Sequence, residues 1–230
     1  MITYFKEHHA EILSWLVSHI WLAAVPVVLG LIIALPIGWL AQRYRWLYAP
    51  LVSIAGLLYT IPSIALLVLV PVVVGSAILD PLNLVRALTV YAVAIMVRSA
   101  ADAFASVPKD VIASATAIGY SRWQRFFGVE LPLAVPVLLA GIRVVSVSTV
   151  SIASVGALTG IDQLGSFFTD AFQRSFLTEA IVGIVAILVL AAVYDVILSR
   201  VGRALTPWNR RQREVMASPR VSSAPIGGSL

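Results

Sequence analysis

The sequence predicts an all-α integral membrane protein with five transmembrane helices, and three observations lead there. The first is composition. Of 230 residues, 60% are hydrophobic and 12% charged, with a mean hydropathy of +0.96. Soluble domains carry about 25% charged residues, so this chain has too few polar side chains to cover a water-facing surface. The second is the presence of five apolar stretches near the length of about 20 residues that a spanning helix needs. They run from Val17 to Ala41, Leu51 to Val74 (interrupted by Pro62 and Pro71), Leu84 to Phe104, Leu133 to Val155 and Leu177 to Leu198. The third is charge placement. Eleven of the 16 basic residues fall after span one, between spans three and four, and after span five, whereas the other non-membrane segments hold only Lys6, Arg86 and Arg174. Basic residues concentrate on the cytoplasmic side, so the alternation puts the N-terminus outside, the C-terminus in the cytoplasm, and requires an odd number of spans.

The elements follow in order. Residues 1–16 read as an extracytoplasmic N-terminus. It carries Glu7 and Glu11 where a signal peptide has a basic region, and the apolar run after it is too long for a signal peptide. His8, His9 and His19 are expected in this loose polar end rather than in a metal site. Residues 17–203 form the membrane domain. Pro26, Gly30, Pro36, Gly38, Pro62, Pro71, Pro136 and Gly141 recur within its spans. A membrane bundle tolerates such residues because neighbouring groups satisfy the freed backbone and small residues let helices approach. Residues 204–230 are basic, then rich in Ser, Pro and Gly, and read as a disordered cytoplasmic tail.

Ionisable groups inside spans are costly and therefore informative. Arg98 and Asp102, four apart in span three, are expected to pair on one helix face. Arg143 in span four reads as a gate or inter-subunit contact, or as a side chain snorkelling to the interface. Asp195 and Arg200 are expected at the inner end of span five, and Glu179 in water at its outer end. Trp15, Trp21, Tyr59 and Tyr91 are available for cation–π contacts, but aromatics at span ends more often form interfacial belts, so none is assigned as a ligand.

The link from Ser106 to Pro132 is not a simple polar loop. Ser106 and Pro108 signal a helix start, Asp110 to Ile118 is helix-prone, and Gly119 breaks it. Ser121 with Gln124 three residues later forms a capping-box pattern. Trp123, Phe126 and Phe127 then fall on one face of a second short helix, with Arg122 and Arg125 pointing elsewhere. Such an aromatic face suits the lipid interface, the protein's own helix ends, or a cytoplasmic partner.

The residues Ala113-Ser114-Ala115-Thr116-Ala117-Ile118-Gly119, followed after nine positions by Val129-Glu130-Leu131-Pro132, resemble the EAA loop of bacterial ABC-importer permeases. Ala115, Gly119, Leu131 and Pro132 match that pattern, and Val129 stands for its Ile. Ala113 replaces its frequent Glu, removing one charged contact, and Ser114 replaces its Ala. The stretches Tyr59 to Leu66, Val97 to Ser99, Val129 to Arg143, Gly156 to Leu158 and Leu164-Gly165 are similar to the subgroup importing glycine betaine, carnitine, choline or proline-type osmoprotectants. The likeness covers about Val17 to Arg203.

The resemblance implies a type I importer permease with a cytoplasmic coupling helix within 106–132. It implies a second permease, identical or paralogous, a cytoplasmic ATP-binding subunit, and an extracytoplasmic solute-binding protein. Ala113, Ser114, Ala115, Gly119, Arg122, Trp123, Arg125, Phe126 and Phe127 would couple to the ATPase, the two arginines meeting acidic groups there. Pro62, Arg98, Asp102, Glu130, Pro132 and Arg143 would serve structure or gating. No cofactor is expected on this chain, because ATP and Mg would bind the partner ATPase.

Other classes fit less well. Nucleic acid is not an expected partner, since the charge of +5 follows topology. No cysteine is present for disulfides or thiolate chemistry. No phosphate-binding Gly-Lys loop occurs, and no convergent set of catalytic groups lies at one depth of the spans. An ion-coupled carrier often shows repeats, and none is visible. A permease for methionine or phosphonate remains the alternative within the same class.

Overall fold

Long apolar runs without water-facing polar stripes leave the backbone one way to satisfy itself in lipid, which is the helix. The fold, a computed structural model, describes residues 9–208, and all regular elements among them are helical. The expectations for Lys6, Glu7, His8 and the tail from 209 to 230 lie outside the described residues. The helices are α1 (His9–Arg43), α2 (Arg45–Thr60), α3 (Ser63–Val74), α4 (Pro81–Ala105), α5 (Lys109–Ala117), α6 (Arg122–Arg125), α7 (Leu131–Ala153), α8 (Ser166–Arg174) and α9 (Leu177–Leu205). Four continuous helical stretches are long and apolar enough to cross a membrane.

The fifth expected span is a bent pair. Helices α2 and α3 meet at 101°, and α3, with 12 residues, extends only about 18 Å. The sequence marks the place. Ile61 precedes a proline and is therefore pushed into an extended conformation (φ −63°, ψ 128°). Pro62 supplies no N–H to continue α2 and becomes the residue before α3. The Ile61 carbonyl freed by the break accepts a hydrogen bond from the Tyr91 hydroxyl of α4. Tyr91 is thus buried behind the bend rather than sitting in an interfacial belt. Pro71, also expected to interrupt the span, lies inside α3 without ending it.

Helix α4 is the hub of the bundle, with the largest buried share of the four long stretches. Asp80 caps its start by accepting from the Leu82 N–H, and Pro81 occupies the first turn, where a missing N–H costs nothing. Helix α1 lies against α4 through a small-residue stripe of Gly30, Ala34 and Gly38. A Cβ at Gly38 would stand 2.5 Å from Ala100 Cβ and 2.8 Å from Ala100 backbone. The two backbones therefore approach only because these positions are glycine.

Helix α1 starts at His9, well before the expected Val17, and its 35 residues extend about 52 Å. The loose N-terminal end thus shrinks. Trp15 packs edge-on against Phe167 of α8 at 5.0 Å. His19 is fully buried, its Nδ1 2.5 Å from Gln163 Oε1 and its Nε2 3.0 Å from the Val150 carbonyl. Both residues belong to the core because the loop after α7 and the short α8 fold back over α1. Gln163 also donates to the Ala153 and Ser154 carbonyls and accepts from the Gly165 N–H, which fastens that loop. Among the described residues no cluster of His, Asp and Glu is arranged to hold a metal ion.

Candidate functional site

The segment between α4 and α7 is built from consecutive local signals. Helix α5 begins after Pro108 and ends in a turn whose Gly119 has φ +92°, a left-handed value. The Gly119 N–H donates to the Thr116 carbonyl and the Tyr120 N–H to the Ala115 carbonyl, both at 3.1 Å. This pair of bonds is the Schellman closure of a helix C-terminus. Ser121 then starts α6 with a reciprocal box. Its N–H donates to Gln124 Oε1 at 2.9 Å, and its hydroxyl accepts from the Gln124 N–H at 3.4 Å.

Helix α6 does not stop before the fourth span. It continues through a π-helical turn, Phe126–Glu130, into α7. The cause is Pro132. It has no N–H to offer Gly128, and its ring crowds the carbonyl one turn back. The ladder widens, so that the Leu131 N–H reaches the Phe126 carbonyl, five residues earlier.

Three side chains lock this element to the membrane domain. Arg125 Nε donates to Glu130 Oε1 at 2.6 Å, and its Nη1 donates to the Thr116 hydroxyl of α5 at 2.9 Å. Glu130 is buried, and its other oxygen accepts from Trp39 Nε1 of α1 at 2.8 Å. Phe126 is buried between Trp39, with ring centroids 5.3 Å apart, and Phe104 at 5.8 Å. The Arg43 guanidinium lies over the other part of this cluster, 5.7 Å from the Trp39 ring.

The residues expected to couple to a partner therefore divide. Ala115, Gly119, Arg125 and Phe126, with Glu130 and Pro132, build and root the element. Ala113, Ser114, Arg122, Trp123 and Phe127 stay exposed. Two expectations change here. Arg125 is engaged by Glu130 and Thr116 and does not point to an acidic partner, because the buried Glu130 requires a cation beside it. The aromatic trio is not one surface, since the turn into α7 rotates Phe126 inward. Trp123 and Phe127 remain 64% and 62% exposed and stack on each other at 6.1 Å.

The intramembrane charges form two unlike pairs. Arg143 Nε and Nη2 donate to the two oxygens of Asp195 at 2.6 and 2.7 Å, joining α7 to α9. Arg143 accordingly does not stand alone, because Asp195, expected at the inner end of span five, is its counterion. The signal was present as one lone cation and one lone anion in two spans, each needing a counterion in lipid. Arg98 and Asp102 do meet, but loosely, with Arg98 Nε 3.9 Å from Asp102 Oδ2. Asp102 also accepts from the Tyr48 hydroxyl at 3.1 Å. Pro62 sits at the bend between α2 and α3.

Glu179 departs most from its expected wet position. It is 2% exposed, although it lies in the first turn of α9. Arg174 Nη1 stands 3.4 Å from Glu179 Oε1, and Oε2 has no hydrogen-bond partner among the described residues.

Comparisons with known proteins agree with this geometry. Residues 26–211 match the family described as the binding-protein-dependent transport system inner membrane component. An osmoprotectant import permease protein of Salmonella typhimurium (strain LT2), OsmW, is 34% identical over 90% of this chain and 97% of its own. A glycine betaine/carnitine/choline transport system permease protein of Bacillus subtilis (strain 168), OpuCB, is 27% identical over 90% and 94%. Among solved structures, a chain of the MetNI methionine ABC transporter in an inward-facing form superposes with a TM-score of 0.73. It covers 87% of this chain and 99% of its own, at 23% identity. A chain of an amino acid ABC transporter gives 0.72, covering 88% and 97%, at 15% identity. The fold is that of type I ABC-importer permeases, and the chain belongs to the family of binding-protein-dependent transport system inner membrane components.

Proposed function

We propose that this permease imports a compatible solute of the glycine betaine, carnitine, choline or proline type by alternating access. It works with a second permease, a cytoplasmic ATP-binding subunit and an extracytoplasmic solute-binding protein. ATP and Mg bind the ATPase, not this chain. The N-terminus faces outward and the C-terminus the cytoplasm, which the placement of basic residues supports. The solute class is supported by the solutes for which the relatives are named.

The observation that carries the mechanism is the rooted aromatic element. Helix α6 presents Trp123 and Phe127 to water while Arg125, Phe126 and Glu130 hold its other side in the bundle. Exposed aromatics on a rigid helix are the anchors that dominate protein interfaces. Because α6 runs through the π-turn into α7, a tilt imposed on α6 by closing ATPase subunits passes directly into a spanning helix.

The test is glycine betaine-stimulated ATP hydrolysis by the complex reconstituted with its ATPase and binding protein. A Trp123→Ala, Phe127→Ala double variant is expected to accumulate in membranes normally and to bind the ATPase roughly 30-fold or more weakly, since one lost anchor costs about 2 kcal/mol. Stimulation should fall to the basal rate. Unchanged stimulation would remove the coupling assignment, and uptake without any ATPase would make the chain a secondary carrier.

A further inference from the structure

The two intramembrane charge pairs differ in how much bonding capacity they leave open. Arg143 and Asp195 satisfy each other through two short parallel bonds and form a closed unit. Arg98 touches Asp102 only through Nε at 3.9 Å, and among the described residues its two terminal nitrogens have no hydrogen-bond partner. A mostly exposed guanidinium with unmet donors inside a span is expensive, and its free donors are open to a ligand.

Arg98 opens into a groove of about 420 Å³ between α2, α4 and α7, lined by Gly56, Tyr59, Arg98, Ser99, Asp102 and Ser148 among others. That volume lies within the range of small-molecule sites, about 300–1,000 Å³. The lining carries both signs of charge and one aromatic ring. Tyr59 is half exposed and is held edge-on against Tyr91 at 6.0 Å. Tyr91 is itself fixed by the bend, so the Tyr59 ring is a preset surface. A Cβ added at Gly56 would meet nothing within 4 Å, so the glycine keeps this wall of the groove open.

We propose that this groove is a substrate site within the membrane domain that takes a small zwitterion. The terminal nitrogens of Arg98 receive its carboxylate, the pairing a planar guanidinium makes best. The Tyr59 ring and Asp102 receive its quaternary ammonium, by cation–π attraction and by charge. This rests on the osmoprotectant reading above and adds that the permease itself distinguishes solutes with a carboxylate from those without one.

The test compares uptake of radiolabelled glycine betaine and choline by proteoliposomes holding the complete complex. Arg98→Gln removes the carboxylate partner. It is expected to lower glycine betaine uptake roughly tenfold or more while choline uptake stays within about twofold. Gly56→Leu puts an apolar side chain into the groove from a position where the first carbon meets nothing within 4 Å, and it is expected to lower both, with protein accumulation unchanged. Equal loss of both solutes in Arg98→Gln, or no loss of either, overturns the site. If Arg98→Gln fails to accumulate, Gly56→Leu decides, and unchanged uptake then overturns the site. A wild-type complex importing choline but not glycine betaine overturns the site alone. A wild-type complex importing neither overturns the osmoprotectant reading, and the site with it.

Discussion

Glu130 shows how much one side chain organises here. Its two oxygens receive Arg125 and Trp39 from different parts of the chain, and the carboxylate is buried. Glu130→Ala would leave the Arg125 Nε and the Trp39 indole N–H without their acceptors, and Arg125 without its counterion, in a poorly solvated place. Breaking one side of such a buried pair costs roughly 3–5 kcal/mol. The expected outcome is a clear drop in the unfolding midpoint of the detergent-solubilised complex. Glu130→Gln should fall between, since the amide still accepts one bond but carries no charge, and a loss equal to that of the alanine would refute this division of roles. From the sequence Glu130 was expected to serve structure or gating. The sequence did not reveal Arg125 as the partner, because a five-residue separation is no helix-face pair in an ordinary α-helix. Only the π-turn brings the two together. Glu179 and His19 were missed for a related reason. Their burial depends on α8 and its loop folding back, which no local pattern announces.

At the scale of elements, the turn at Gly119 separates conformation from packing. The residue has φ +92°, yet a Cβ placed there meets nothing within 4 Å. Any effect of substitution must therefore come from the backbone. Alanine loses roughly 1–2 kcal/mol in the left-handed region, whereas asparagine enters it more readily. Gly119→Ala should reduce solute-stimulated ATP hydrolysis more than Gly119→Asn, with equal amounts of both in the membrane. The reverse order would show that the turn's geometry does not set the position of α6. This element was legible in advance because each part is a short-range signal. Gly119 ended α5, and Ser121 with Gln124 began α6, as the spacing implied. The continuation of α6 into α7 was not, although its cause, Pro132, was in view. A proline one residue into a helix is tolerated without consequence when the helix starts there, and becomes a π-turn only when another helix precedes it. The interruption at Pro62 was legible for the same local reason, but its 101° angle depends on Tyr91 from α4 holding the freed carbonyl.

Across the whole molecule, the bundle depends on α1 and α4 lying closer than ordinary side chains permit. In lipid no hydrophobic effect drives helices together, so close van der Waals contact must do it. The alternation of small residues at Gly30, Ala34 and Gly38 was visible in the sequence as composition. Which helix they faced was not, because five spans can be arranged around one another in many ways that leave hydropathy unchanged. The structure names Ala92 and Ala100 of α4 as the partners. Gly38→Leu would drive a side chain against Ala100, whose Cβ and backbone stand 2.5 and 2.8 Å from where its first carbon would lie. Backbone cannot swing aside as a flexible side-chain end can, so α1 must move bodily. Trp39, next to Gly38, would move with it and withdraw its hydrogen bond from Glu130. The expected result is failure on two counts in one variant, with little protein accumulating in membranes and any that does accumulate uncoupled from the ATPase. Gly56→Leu, the same change where the space is open, should accumulate normally. Normal accumulation and coupling in Gly38→Leu would mean that the α1–α4 contact is not what holds the bundle or seats α6, and both roles would then have to pass to α7, the other long neighbour of α4.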